Sequence, residues 1–419
     1  MTRGELRSRG VALYLATGVA GYPLVSFLAQ GLGVTSRAVT FPFRGIMVFG
    51  AATILLAVLS GRLRARSGVV GLLLTGFWVL FSVRLALDLL FAPVTLGRPA
   101  GEYVLFTYGM VLIPMLAFFT LLDRPTAIRW FRLTVAFFAV GCFIGVIHNY
   151  QHIGQQFLRV PGNEFLSPIT FGHMGASVLM FATLQLVQRP RDRFLPVWVA
   201  LAAVPAALVC LVLAASRGPI VALAAGMLLI AAAGWVNGGA PRVLALVAVL
   251  GITIPSAVAV AQRAGSALIE RMTRSPRRGS SVDERLRRYQ GAWEQFTENP
   301  LLGSSLDERG SLGYPHNLVL ESFMAVGIFG GVLFVLILLL CVFKSIMLLV
   351  RDPAYGWIGL LFVQRAVGGM FSGSLYTSNE FWYMVAAVAS ASFATRTLAR
   401  RPAPVARRAA IPLREAEPA

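Results

Sequence analysis

Residues 313–343 read GYPHNLVLESFMAVGIFGGVLFVLILLLCVF, and they set His316, one of four histidines in 419 residues, directly before an apolar run of about twenty-five. About twenty such residues cross a hydrocarbon core as a helix, so this stretch spans a membrane and carries a titratable ring at its mouth. The rest of the chain agrees. It is 57% hydrophobic and 13% charged with mean hydropathy +0.73, where soluble domains are about half apolar and about a quarter charged.

Further apolar runs give spans at approximately 11–30, 41–60, 68–91, 102–122, 130–149, 166–187, 195–215, 218–236, 243–261, 317–343, 354–371 and 379–397, twelve in all. The seventh and eighth are one unbroken stretch of roughly forty residues, too long for one crossing. Ser216-Arg217-Gly218-Pro219 is its only polar break. The expected fold is an all-α integral membrane protein of about 12 transmembrane helices. Its organisation is helices one to nine over 1–261, a basic loop over 262–315, helices ten to twelve over 316–397 and a basic tail over 398–419. The N-terminal MTRGELRSRG lacks a small-residue cleavage pattern and reads as leading into an uncleaved first span.

The net charge of +19 comes mainly from arginine. A nucleic-acid partner is the usual reading of such a charge, but here it lies in short loops between spans, as positive-inside topology requires. With the N-terminus inside, GRLRARS (61–67), DRPTAIR (123–129), QRPRDRF (188–194), NGGAPR (237–242), KSIMLLVRD (344–352) and the tail from Arg396 are all cytoplasmic and all basic. Both termini are then cytoplasmic. The loop 262–315 falls outside, yet between Arg263 and Arg288 it holds eight arginines against Glu270, Asp283 and Glu284, a surplus of five. Long loops escape the positive-inside rule, which accounts for the topology; a phosphate-bearing lipid accounts for the density of arginine. Cys142, Cys210 and Cys341 all lie in apolar runs, which speaks against a disulfide framework or a zinc site.

Ionisable groups inside spans are costly, and their placement is informative. Arg217, Arg84 with Asp88, His148 and His152 with Arg159 after them, Arg365 and His316 all converge on the outer rim. Arg84 and Asp88, four apart on one helix face, read first as a structural ion pair. HNYQH (148–152) has the spacing of a zinc pair but lacks the glutamate of H-E-x-x-H, so metal ligation is the lesser reading. Arg365 reads equally as a snorkelling or capping residue. Arg217 resists a bland reading, because Gly-Pro alone supplies the turn.

A transferase facing the periplasm must use a donor that carries its own activation, typically a lipid diphosphate. No D-x-D pair is present to hold a metal against it. Arginine forks bind phosphate oxygens bidentately and never deprotonate, and an imidazole near pKa 6.5 takes a proton from a sugar hydroxyl at neutral pH. A basic loop, a rim arginine and one histidine are therefore the parts of a metal-independent transferase, with leaving-group stabilisation and a general base.

Three stretches resemble the O-antigen ligase and polymerase superfamily. AASRGPIVALAAG (214–226) resembles its Ser-Arg-Gly hairpin, ERLRRYQGAWEQFTENPLLGSS (284–305) its loop motif ending in Asn-Pro-Leu-Leu-Gly, and PHNLVLESFMAVGIFGG (315–331) its His-Asn-x-x-Leu-Glu motif. The three stand in the family's order and spacing and cover about fifty residues of the second half. The resemblance implies an inverting glycosyltransferase that moves O-antigen from undecaprenyl diphosphate to a lipid A–core hydroxyl in the bacterial inner membrane, its active site facing the periplasm, without a cofactor. It makes His316 the general base and puts Arg217 and Arg285 at the departing diphosphate. Arg285 lies four before an aromatic that is here Tyr289, where tryptophan is common. Arg288 has no fixed counterpart. With Arg159, Arg365, Arg278 and His148 it forms the set expected to bind diphosphate or lipid A phosphates.

The glycines at 327 and 331 form a G-x-x-x-G expected to pack the tenth span closely, and Glu321 is placed to orient the helix end or His316 itself. Leu286, Tyr289 and Trp293 share one face of an amphipathic helix, either on the membrane surface or against the bundle. An O-antigen polymerase and a protein O-oligosaccharyltransferase share donor and motifs and remain open. A transporter or flippase would keep its polar groups near the midplane with an internal repeat, and none is visible between residues 1–200 and 200–419. A membrane scaffold would need neither His316 nor Arg217. The tail RRPAPVARRAAIPLREAEPA (400–419) reads as a disordered segment on anionic lipid.

Overall fold

The computed structural model describes residues 2–92, 96–153, 155, 159–188, 192–273 and 281–399. Arg278 and the tail from residue 400 lie outside these described residues. Among the described residues ten helices are long and apolar enough to cross a membrane. They are α1 (Gly4–Gly31), α2 (Thr40–Leu59), α3 (Gly68–Phe91), α4 (Ala100–Ala117), α5 (Arg124–His148), α6 (Pro168–Val187), α7 (Val197–Ala214), α8 (Arg217–Gly238), α9 (Ala240–Arg263) and, beyond two further helices, α12 (Leu318–Arg351). Two helices, α10 (Leu268–Thr273) and α11 (Ser281–Glu298), lie between α9 and α12; α13 (Pro353–Ser372) and α14 (Asn379–Ala399) occupy the positions of the last two expected spans. Among the described residues no strand forms, only isolated bridges such as Ala65 with Thr120. The chain is an all-α, multi-pass membrane protein.

The long apolar stretch does break at its polar tetrad. α7 stops at Ala214, Ala215 turns left-handed at φ 43°, and α8 starts at Arg217. A non-glycine residue in that region costs about 1–2 kcal/mol, so the turn that presents Arg217 is held by its surroundings.

The middle of the bundle is aromatic. Phe77, Trp78, Phe334 and Trp382 stack at centroid separations of 4.8–5.7 Å, and Trp130 meets Trp357 edge-on at 4.7 Å. Helix α9 stands apart, with only 6% of its most apolar window buried. Between it and α6, α7 and α8 runs an apolar groove of about 470 Å³, bordered by Leu179, Leu208, Met227, Leu250, Val258 and Met272.

The glycines of α12 have a different job from the one their spacing predicts. The helix is broken at Val326 and Gly327, the latter at φ 65° and ψ −165°. The Asn-Pro-Leu-Leu-Gly segment enters that break. Ile328 N donates to the Pro300 carbonyl at 2.7 Å, Ser304 N donates to Met324 at 2.9 Å, and a Cβ on Gly327 would stand 2.2 Å from the Leu301 oxygen. Gly303, at φ 75°, approaches Ala325 from the other side. Gly327 is thus a backbone-to-backbone contact between loop and helix and not a helix-packing small residue, because only glycine combines positive φ with so close an approach.

The same loop is clamped from α3 and α4. Arg84 and Asp88 pair at 3.4 Å, as their spacing predicts. Arg84 donates to the Ser304 carbonyl at 2.6 Å, and Asp88 accepts from Leu306 N at 2.8 Å. Asp307, 1% exposed, accepts from Gly97 N at 3.0 Å, from Tyr103 and, at 3.4 Å, from Tyr376. Buried acids with this many donors act as fasteners.

Candidate active site

His316 stands between Pro315 and the helix that Asn317 caps. The Asn317 side chain accepts from Val319 N and Leu320 N, both at 3.1 Å, an arrangement that contributes about 1 kcal/mol to the helix start. His316 itself is left-handed, φ 63°. A histidine forced into that region is turned out of the helix line toward the neighbouring loop, at a conformational cost the site must offset. Its ring packs edge-on against Tyr314 at 4.6 Å, and its Nδ1 is buried with no hydrogen-bond partner among the described residues. The ring also contacts the Ser372 backbone.

Burial, then the Arg285 and Arg288 charges, push the imidazole from its ordinary 6.5 down to about 4, outweighing the Ser372 backbone and Glu284. The ring is therefore neutral at pH 7 by a wide margin. The sequence expectation of an imidazole near 6.5 is corrected here: burial first, and then the positive neighbours, disfavour the imidazolium. A neutral ring can accept a proton, and an anion bound among the arginines would raise its basicity.

Those arginines come from four segments. Arg217 at the head of α8 donates to the backbone carbonyl of Arg271 in α10. The Arg271 guanidinium is depressed by burial, then by Arg217 and Arg285. Arg159 is depressed by burial, then by Arg271 and Arg285. Arg159, Arg217, Arg271 and Arg285 thus repel one another in one region, which His316 adjoins through Arg285. Among the described residues none of Arg159, Arg271 and Arg285 makes an ion pair. Like charges brought this close are unfavourable, and a polyanion would relieve the repulsion among Arg159, Arg271 and Arg285.

Arg288 has a more local place. It pairs with Glu284 at 2.6 Å and reaches the Tyr314 carbonyl at 3.4 Å, so it supports the loop that carries His316. Tyr289, where the motif usually has tryptophan, donates to the Met370 carbonyl at 3.4 Å. Of the face drawn from the sequence, Leu286 and Trp293 are exposed, while Ala292 and Gln295 are buried and Phe296 packs on Phe323 at 5.3 Å. Trp293 and Leu286 are thus on the outer side of α11.

Four other residues singled out in the sequence go elsewhere. His148 closes α5 beside Gln30, 3.1 Å from its amide nitrogen, and Phe27, and His152 lies in a separate 3-10 turn. Among the described residues no three His, Cys, Asp or Glu side chains gather as a metal site. Arg365 pairs with Glu380 at 2.8 Å and sits over the Phe138 ring at 5.8 Å, away from the arginine group. Glu321 does not bond His316. Its Oε1 accepts from Ser374 Oγ at 2.9 Å and Leu375 N at 3.0 Å, so it anchors the turn after α13 and acts on His316 only through Ser372.

The C-terminal turn of α13 is consequently the hub of the site. Met370 meets Tyr289, Phe371 covers Gly218 beside Arg217, and Ser372 touches His316. Sequence reading missed Arg271, which it counted in the charge surplus but did not single out. The short apolar pattern Leu268, Ile269, Met272 around it was the available signal, since it marks a helix that seats Arg271 against the bundle.

The family model described as O-antigen ligase matches residues 200–335, a stretch that contains Arg217, Arg271, Arg285, Arg288 and His316. No match was found among curated proteins or solved structures. Residues 200–335 are therefore similar to the O-antigen ligase family, which supports over that stretch the resemblance to the O-antigen ligase and polymerase superfamily that the three motifs display.

Proposed function

We propose that the protein is an inverting glycosyltransferase that moves O-antigen from undecaprenyl diphosphate onto a lipid A–core hydroxyl at the periplasmic face of the inner membrane. The observation that carries this reading is the convergence of Arg159, Arg271 and Arg285, none of which makes an ion pair among the described residues, beside a neutral histidine. In the proposed reaction the donor diphosphate lies among Arg159, Arg217, Arg271 and Arg285. His316 takes the proton of the acceptor hydroxyl as that oxygen attacks the anomeric carbon. The bond to the diphosphate breaks on the opposite face, and the arginines hold the charge that develops on the leaving oxygen. Arg288 and Glu321 position the base from either side. Arg278, in the same basic loop, remains a proposed contact for phosphate.

The apolar groove beside α9 supports the same donor. Met272 borders it and is the next residue after Arg271, so an isoprenoid chain in the groove would deliver its diphosphate to the arginines. Polyprenyl chains are long and apolar, and a groove open to lipid takes one without a desolvation cost.

Reconstitution tests this directly. The full chain in proteoliposomes, with a lipid-diphosphate glycan donor, a lipid A–core acceptor and a chelator, is expected to put glycan on lipid A, and His316→Ala is expected to abolish it. Longer glycan left on the carrier would make the protein a polymerase. Donor crossing the bilayer with no covalent product would make it a transporter.

A further inference from the structure

Beside the hub turn lies a polar pocket of about 190 Å³ among the ends of α6, α13 and α14. Thr170, His173, Arg365, Ser378, Asn379 and Glu380 face it. Three features set it apart from the arginine group. Arg365 and Glu380 neutralise one another at 2.8 Å, with 10% and 22% of their side chains exposed, so the pocket has no net charge to draw a phosphate. Its walls include both donors and acceptors, which an isoprenoid chain could not satisfy. His173, 5% exposed, has an Nδ1 with no hydrogen-bond partner among the described residues, a polar atom whose desolvation is uncompensated in the empty protein.

We infer that this pocket binds the hydroxyl groups of one sugar ring next to the reacting centre. A hydroxyl both donates and accepts, so a ring carrying several suits a neutral wall of mixed polarity better than any ion does. The volume holds a single ring and not an oligosaccharide. The position fits as well, because Ser372 borders the pocket and its backbone touches His316. A sugar seated here therefore lies across the Ser372 turn from the base. The ring belongs either to the donor or to the acceptor; the chemistry of recognition is the same. The inference rests on the proposed function only for the sugar's purpose, since the pocket is defined without the arginines.

The test uses the full chain in nanodiscs, as wild type, Thr170→Val and Asn379→Ala, with Glu380→Gln as a stronger variant. Three ligands are titrated: undecaprenyl diphosphate alone, undecaprenyl diphosphate bearing one sugar, and soluble core oligosaccharide. The rim variants are expected to bind the bare carrier as wild type does and to lose at least about fivefold in affinity for one of the two sugar-bearing ligands. Loss confined to the sugar-bearing carrier assigns the donor ring, and loss confined to the core oligosaccharide assigns the acceptor ring. Equal affinity of folded Thr170→Val and Asn379→Ala for both sugar-bearing ligands would overturn the inference and leave the pocket a water-filled ion pair. Failure of wild type to bind the bare carrier would instead remove the donor reading of the arginine group, and the core oligosaccharide arm would still decide the pocket.

Discussion

Two sets of charges meet at the same end of this bundle, and they behave oppositely. Around residues 303–309 every acid and base has a partner: Arg84 with Asp88, Asp307 with two tyrosines and a backbone N–H, Arg309 with Glu298 at 2.6 Å. Around residues 159–285 the arginines face one another, and Arg159, Arg271 and Arg285 make no ion pair among the described residues. The first set holds a loop in the break of α12; the second, in the proposed function, holds the donor diphosphate. Charge in a membrane protein is thus not itself a sign of function. What separates the two sets is whether the protein supplies the countercharge.

The largest expected effect tests the second set at its reacting atom. Replacing His316 by Ala should lower kcat by about 10²–10⁴-fold, the usual worth of a positioned base, with thermal unfolding close to wild type. Arg271→Gln and Arg285→Gln should each lower kcat/KM by about 10²–10³-fold, as for loss of one charge-stabilising donor. Parity of either variant with wild type in a transfer assay would remove that arginine from the site.

The first set should break in a different currency. Asp88→Ala leaves Leu306 N and Arg84 without their acceptor, and breaking a pair this buried costs about 3–5 kcal/mol. The expected outcome is a lower unfolding temperature and yield, with turnover per folded molecule retained. A folded Asp88→Ala protein with wild-type stability and no turnover would erase the distinction between the two sets. Gly327→Ala should act likewise through the loop, since its Cβ would displace Leu301.

The smallest effect is a displaced pH profile. His316 works only as the neutral ring, so rate is lost as pH falls through its pKa, and the acid limb of kcat/KM belongs near about 4. Removing the Arg285 charge lifts one cause of that depression. In Arg285→Gln the residual activity should therefore have its acid limb moved upward toward 6.5, while an unmoved limb would show that the two groups are not coupled.

Much of this was legible in the sequence, for reasons that differ by element. Apolar runs announce helices because lipid tolerates little else, and the Ser-Arg-Gly-Pro break was visible as the only polar residues in its stretch. The i, i+4 spacing of Arg84 and Asp88 gave their pairing. Gly327 misled, since a glycine that permits helix packing and one that permits a helix break look alike in a string. The pairing of Arg365 was not legible because its countercharge, Glu380, is fifteen residues away on another helix. Arg271 and the depressed His316 were hidden for the same reason: both depend on which segments fold next to each other, and local periodicity carries no such information.

The central claim is that Arg159, Arg271 and Arg285 form a diphosphate site. The most direct measurement is the affinity of the full chain in nanodiscs for undecaprenyl diphosphate, compared between wild type, an Arg159→Gln, Arg271→Gln, Arg285→Gln triple variant and Arg309→Gln, at low and high salt. The account predicts that wild type and Arg309→Gln bind alike, with affinity that falls as salt rises, and that the triple variant loses at least about a hundredfold. Equal binding by a folded triple variant would contradict it.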